Sequence, residues 1–215
     1  MTEPPFAGVV ADAGALAQLY RPPNDLVLRK DVGHLDAHCR AFVSVSPFVL
    51  VGTTSPAGAG DVSPRGGPPG FVQVLDEHRL AIPDLNGNNR LDTLRNVLDQ
   101  GTVGLLFLIP GLGESLRVNG KAWVTTDDAV LDGFTAELRR PTAAIGVLVE
   151  EAYVHCAKAF RRAGLWDPAT WPAADDRPSP VAMFQTHLCL EHVDVSVLEA
   201  DLEQGYALDL EADRP

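Results

Sequence analysis

Apolar residues recur at helical intervals through the first forty-odd positions. Asp12 stands where an N-cap opens a turn through Leu16 and Leu19, and Leu35, Cys39 and Phe42 repeat at helical spacing. Pro22-Pro23 and Pro47 punctuate the stretch. The pattern then changes character. Phe48-Val49-Leu50-Val51, β-branched and aromatic, predicts a buried strand that continues toward Thr54. Ser55 to Gly70 is rich in glycine and proline around Asp61-Val62-Ser63-Pro64-Arg65, which predicts a turn and then an irregular or bulged strand, backbone that lets a ligand come close. Phe71 to Leu75 and Arg79 to Pro83, joined through Asp76-Glu77, predict a short hairpin.

After Asp84-Leu85-Asn86-Gly87, the residues Leu91, Leu94, Val97 and Leu98 fall on one helical face, with Asn88 or Asn89 as candidate N-cap and Gly101 as the stop. Val103 to Ile109 is the strongest strand signal. Ser115 to Thr126 follows the Pro110-Gly111-Leu112-Gly113 turn, so the two strands should pair antiparallel. Asp127 or Asp128 can cap a helix through Leu131, Phe134 and Leu138, ahead of a β-like run from Ile145 to Val149. His155 to Gly164 reads as helical, a Trp/Pro/Asp-rich loop runs to Pro180, and a mainly helical tail ends the chain. No internal repeat is visible.

Composition narrows what such a chain can do. With 215 residues, 46% of them hydrophobic and 21% charged, one core is the natural count. Seventeen basic against 29 acidic residues leave a formal charge of -12, which repels a phosphate backbone, so nucleic acid is not an expected partner. One phosphate could still be held by local arginines, because distant surface charge is screened. Met1-Thr2-Glu3-Pro4-Pro5 lacks the character of a secretory signal, and Val103 to Ile109 is far shorter than the ~20 apolar residues that span a bilayer. A cytoplasmic protein without a membrane span is expected. Cys39, Cys156 and Cys189 show no Cys-x-x-Cys spacing, so reduced and mostly buried thiols are expected rather than disulfides or a zinc ribbon.

The most informative chemistry lies in Asp84-Leu85-Asn86-Gly87-Asn88-Asn89-Arg90-Leu91-Asp92-Thr93-Leu94-Arg95. Small polar residues and an arginine at a loop-to-helix junction bring backbone N–H groups, the positive helix end and a guanidinium toward a phosphate. Arg95, just past the first turn, can reinforce Arg90 or lie in solvent. By itself the motif also reads as an ordinary asparagine cap with a surface arginine. Together with Ser63-Pro64-Arg65-Gly66, Val103-Gly104-Leu105-Leu106-Phe107 and Leu116-Arg117-Val118-Asn119-Gly120-Lys121-Ala122, it makes the chain resemble the pyridoxamine 5'-phosphate oxidase-like FMN-binding split-barrel proteins from about Ala41 to Thr126. With His155-Cys156-Ala157-Lys158 included, the pattern is similar to one bacterial subgroup of that class.

That resemblance implies an α+β fold, an antiparallel split β-barrel with flanking helices. It implies one domain over residues 1–215, with a helical extension at 1–46, a barrel core at 41–153 and a mainly helical extension at 154–215. It implies FMN as cofactor, an oxidoreductase activity on a small-molecule substrate, and a homodimer with shared flavin sites. Arg65 and Arg90 match the phosphate-holding positions, with Ser63, Asn88 and Asn89 nearby as hydrogen-bond donors, and Ser115 matches the start of a flavin-lining strand; Arg95 is added as a cofactor-binding candidate only by its place just past the helix start. Asn88-Asn89-Arg90 departs from the Ser-Arg-Lys of the oxidase proper, and the tail lacks its substrate-binding arginine pattern, which argues against pyridoxamine 5'-phosphate as substrate. A deazaflavin-dependent reductase on the same fold and a non-catalytic flavin- or haem-binding protein are the alternative readings.

Weaker signals complete the inventory. His155 and Lys158, at i,i+3 on the expected helix, are candidates for proton transfer, against the plain reading of a helix surface. His34, His38 and Cys39, like His187, Cys189 and His192, offer too few convergent ligands for a metal, and none is expected. Trp166 and Trp171 could stack on a flavin, although aromatic anchoring of a surface loop is the commoner role.

Overall fold

Strand β1 (Phe48–Thr54) alternates half-buried and buried positions, so Val49, Val51 and Thr53 turn inward while Phe48, Leu50 and Gly52 face the other way. Six more strands follow: β2 (Gly60–Gly66), β3 (Gln73–Val74), β4 (Arg79–Pro83), which is buried on both faces from Leu80 to Pro83, β5 (Thr102–Leu108), β6 (Ser115–Thr125) and β7 (Ala144–His155). They form one antiparallel sheet in the order β2-β1-β5-β6-β7-β4-β3. Val49, Val51, Phe107, Leu116, Val118 and Ile145 line its fully buried side. The computed structural model describes residues 4–134 and 138–215, and the architecture is the expected antiparallel split β-barrel with flanking helices.

The chain divides into two compact units, Met1–Asp31 and Val32–Pro215. Within the first, α1 (Ala13–Leu19) is capped by Asp12, whose carboxylate accepts the Ala15 N–H at 2.9 Å, and α2 (Asp25–Arg29) by Asn24. Neither helix buries a residue. The second unit holds the barrel, α3 (Ala37–Val45), α4 (Asp92–Gln100), α5 (Asp128–Leu131) with a 3-10 turn to Phe134, α6 (Lys158–Ala163), α7 (Pro180–His187) and α8 (Val195–Ala212). The helix expected through Leu138 crosses residues 135–137, which lie outside the described residues. Among the described residues no helix is long and apolar enough to cross a membrane.

Four sequence expectations need correction. His155 to Gly164 is not one helix: β7 runs on through His155, paired with Ser115, and the helix opens only at Lys158. The eleven residues of β6 offer backbone partners along the whole length of β7, and that pairing overrides the helical leaning of Glu150-Glu151-Ala152. The bulge expected near Asp61 to Arg65 lies elsewhere. β2 pairs with β1 in unbroken register, while the shift falls between Asn119 and Gly120, where Glu150 is the extra residue on β7. Neither Asn88 nor Asn89 caps α4. Leu91 does so in the left-handed region (φ 60) without a side-chain bond, and the buried face is Thr93, Leu94, Asn96 and Val97, with Leu91 and Leu98 exposed. Finally, Cys156 and Cys189 are exposed and Cys39 is half-buried.

Gly120 shows how tightly the bulge is built: a Cβ there would stand 2.0 Å from the Leu148 carbonyl oxygen, which is backbone and cannot rotate away. Gly120→Ala is expected to destabilise the fold by about 3 kcal/mol or more, read as a lower urea midpoint. Burial, then a hydrogen bond to Asp36, pushes the Cys39 thiol up to about 11. Iodoacetamide at pH 8 should therefore alkylate Cys156 and Cys189 well before Cys39, as peptide mass spectrometry would show; equal rates would contradict that placement.

Candidate functional site

A cavity of about 600 Å³ opens between β2, the segment from Pro83 to Leu91 and the first turn of α4. Alternation along β2 sends Asp61, Ser63 and Arg65 to the half-buried side and Val62, Pro64 and Gly66 to solvent. Proline is tolerated within this strand because β2 is the sheet edge. Arg65 donates from Nη1 to Ser63 Oγ at 2.5 Å and to the Pro64 carbonyl at 3.1 Å, and among the described residues it makes no ion pair.

The opposite wall is held in place by a buried relay. Asp61 Oδ2 accepts from Thr53 Oγ1 at 3.2 Å and from Thr93 Oγ1 at 3.1 Å, while Thr53 Oγ1 accepts from Asn96 Nδ2 at 3.0 Å. Two residues of α4 are thereby tied to the β1–β2 pair, and the loop leading into the helix has little freedom. Asn89 (φ 54) and Leu91 (φ 60) both adopt left-handed backbone, which costs on the order of 1 kcal/mol for a non-glycine residue and concentrates at functional sites. Asn88 Oδ1 accepts the Arg90 N–H at 3.1 Å, and Arg90 Nε reaches Asp92 at 2.8 Å while 75% of its side chain stays exposed. The N–H groups of Gly87, Asn88 and Asn89 have no partner among the described residues.

Four aspartates (Asp61, Asp84, Asp92, Asp213) and two arginines (Arg65, Arg90) share the cavity, an imbalance that disfavours a polyanion. One anionic group beside Arg65 and the free amides, with hydroxyl groups donating to carboxylates, matches the donors and acceptors present. Burial raises the Asp84 carboxyl above the usual range, and the neighbouring Arg65 charge partly opposes the shift.

Of the residues singled out from sequence, Ser63, Arg65, Asn88, Asn89 and Arg90 line this one cavity. Arg95 is exposed on α4 and does not line it. Ser115, 1% exposed, opens β6 opposite His155 and lies outside it too. His155 stacks on Tyr153 with ring centroids 6.3 Å apart; as a strand residue it does not share a helix face with Lys158. Trp166 stacks on Phe160 and donates from Nε1 to the Leu112 carbonyl at 2.8 Å, and Trp171 donates to the Leu165 carbonyl at 3.1 Å, so both anchor the surface loop. Among the described residues no three His, Cys, Asp or Glu side chains converge as a metal centre requires. Leu210 and Asp213 of the tail also line the cavity; nothing in their local sequence signals it.

The pyridoxamine 5'-phosphate oxidase family matches residues 35–156, which span the whole sheet and the cavity's strand and loop walls. The chain belongs to that family. Its barrel is therefore one of a flavin-binding class, and the polar cavity at β2 fits the phosphate end of such a cofactor on the chemistry of its donors. No curated protein matches the chain. Among solved structures, the HupZ protein of Group A Streptococcus is 15% identical over 55% of this chain and 92% of its own, with a TM-score of 0.46. A putative pyridoxamine 5'-phosphate oxidase from Lactobacillus delbrueckii is 21% identical over 57% and 95%, with a TM-score of 0.43. The FAD binding protein from Mycobacterium smegmatis is 17% identical over 58% and 97%, with a TM-score of 0.41.

The raised Asp84 carboxyl gives a pH test. A carboxyl whose folded pKa exceeds its unfolded one opposes folding once ionised, and the penalty is absent below the unfolded value, about 4. Asp84→Asn should therefore raise the melting temperature at pH 7, and the gain should vanish as the pH falls below about 4. A gain that persists unchanged in acid would show that the ionised carboxylate is not its source.

Proposed function

We propose that this family member is an FMN-dependent oxidoreductase that holds the cofactor phosphate-first between β2 and the loop from Asp84 to Leu91. The observation that carries the reading is Arg65, a half-buried guanidinium without an ion pair among the described residues, lining the same space as the free N–H groups of Gly87, Asn88 and Asn89. A guanidinium and converging backbone amides are the donor set a terminal phosphate requires. Ser63 accepts from Arg65 and holds it oriented; Asp61 and Asp84 stand ready to accept from the hydroxyls of a ribityl chain. Arg90, exposed and paired with Asp92, contributes a more screened charge. When bound, the flavin supplies the hydride or electron transfer, and the protein's part is binding, orientation and exclusion of water.

The same reading takes the protein to be a homodimer with flavin sites shared between subunits. In its support, the sheet face away from the core leaves Val62 69%, Trp123 54% and Leu148 39% exposed, an apolar cost that a second copy would remove. Light scattering at micromolar concentration should give about twice the mass of one chain.

Purified protein is expected to be yellow and to release FMN on denaturation; release of FAD or of a deazaflavin, or a colourless protein that ignores added FMN, would overturn the reading. Bleaching by a reduced nicotinamide followed by turnover with an acceptor separates an oxidoreductase from a storage protein. Arg65→Ala should weaken FMN by about one to two decades, the loss of a charge-assisted bond. Arg90→Ala should cost less, and Arg95→Ala should leave affinity unchanged; titration of flavin fluorescence ranks the three.

A further inference from the structure

The tail meets the cavity through Asp213, which lies outside the residues matched by the family, while its partner Asn86 lies within them. Helix α8 runs for 18 residues without burying any of them. At its C-cap, Asp213 Oδ1 accepts from the Asn86 backbone N–H at 3.1 Å and from Asn86 Nδ2 at 2.8 Å, and the Asp213 carbonyl accepts the Arg139 N–H at 2.8 Å. Leu210, nearly one turn earlier, lines the cavity beside it. Asp84, Leu85, Asn86 and Asp213 also line a second cavity of about 230 Å³, with Arg139 and Arg140. The Asn86–Asp213 contact is thus a partition between two spaces. On the far side Arg140 is paired with Asp128 and Asp132, whereas Arg139 makes no ion pair among the described residues.

We propose that this Asp213 latch closes the phosphate end of the cavity and makes it selective for a flavin that ends in a single phosphate over one that continues into a dinucleotide. The proposal rests on the FMN reading above. A ligand anchored by one phosphate at Arg65 and the loop amides ends there. A dinucleotide must carry a second phosphate and an adenosine onward, and the way into the Arg139 cavity is barred by the Asn86–Asp213 contact and by a carboxylate of like charge. Opening the latch joins the two cavities and exposes a cation to the second phosphate. Because α8 buries nothing, the latch is a local contact that can break without disturbing the barrel.

The test uses the full chain, as wild type and Asp213→Ala, with FMN and FAD titrated by flavin fluorescence. In the flavin-free proteins, the rate of phenylglyoxal modification of Arg65 is followed by peptide mass spectrometry, with exposed Arg95 as internal reference. Wild type should favour FMN over FAD by at least about tenfold, and Asp213→Ala should narrow that ratio about tenfold, mainly by tightening FAD. Arg65 modification should rise severalfold while Arg95 stays constant. Asp213→Asn, which keeps an acceptor oxygen but not the charge, should fall between the two and serves if the alanine variant does not fold. An unchanged FMN-to-FAD ratio with FMN bound overturns the latch alone. Failure of wild type to bind either flavin overturns the FMN reading and the selectivity with it, and is told apart by that result.

Discussion

One carboxylate holds the site together. Asp61, on the edge strand β2, accepts from Thr53 on the neighbouring strand and from Thr93 on α4, and Asn96 completes the relay through Thr53. Each of these side chains is buried or half-buried, where an unmade hydrogen bond costs on the order of 1–3 kcal/mol, so the three elements cannot separate cheaply. The distance between Arg65 and the loop amides is set by this clasp, since the loop from Asp84 to Leu91 hangs from the helix that Thr93 and Asn96 pin down. Removing the relay would leave the barrel's apolar core in place while releasing the geometry that brings Arg65 and the loop from Asp84 to Leu91 into one space.

Apolar, β-branched and aromatic runs bounded by glycine and proline turns were enough to place all seven strands, the last cut short at Val149, and the pairing of the two strongest, because strands that pack on a core carry those residue types. They misplaced what tertiary contacts decide. The extension of β7 to His155 depends on β6 being long enough to pair with it, and the partner of His155 is Ser115, forty residues away. Five of the site residues named from sequence, Ser63, Arg65, Asn88, Asn89 and Arg90, share one cavity because they sit on the two segments that the Asp61 relay joins. Ser115 and Arg95 do not, and Asp213 could not have been found at all: 127 residues separate it from Asn86, and its neighbours form a featureless acidic helix end.

The electrostatics of the cavity run opposite to those of a surface that attracts polyanions. The chain carries a formal charge of -12, and even within the cavity carboxylates outnumber guanidiniums. Arg65 stands apart there: its Ser63 and Pro64 bonds both use one nitrogen, and among the described residues it makes no ion pair. A positive charge ringed by negative ones binds a single anion at short range and discourages a second, which long-range attraction from a basic surface would not do.

The period of two along β2 has an evolutionary corollary. Asp61, Ser63 and Arg65 turn to the half-buried side, while Val62, Pro64 and Gly66 are exposed at the free edge of the sheet and border the cavity from there, and Pro64 also lacks an N–H to offer a stray strand. Half-buried and exposed side chains are therefore interleaved in sequence. Substitutions on the half-buried set alter the cavity's hydrogen-bonding groups, whereas those on the exposed set alter the outer edge first, so the two can vary by separate steps along the same seven residues.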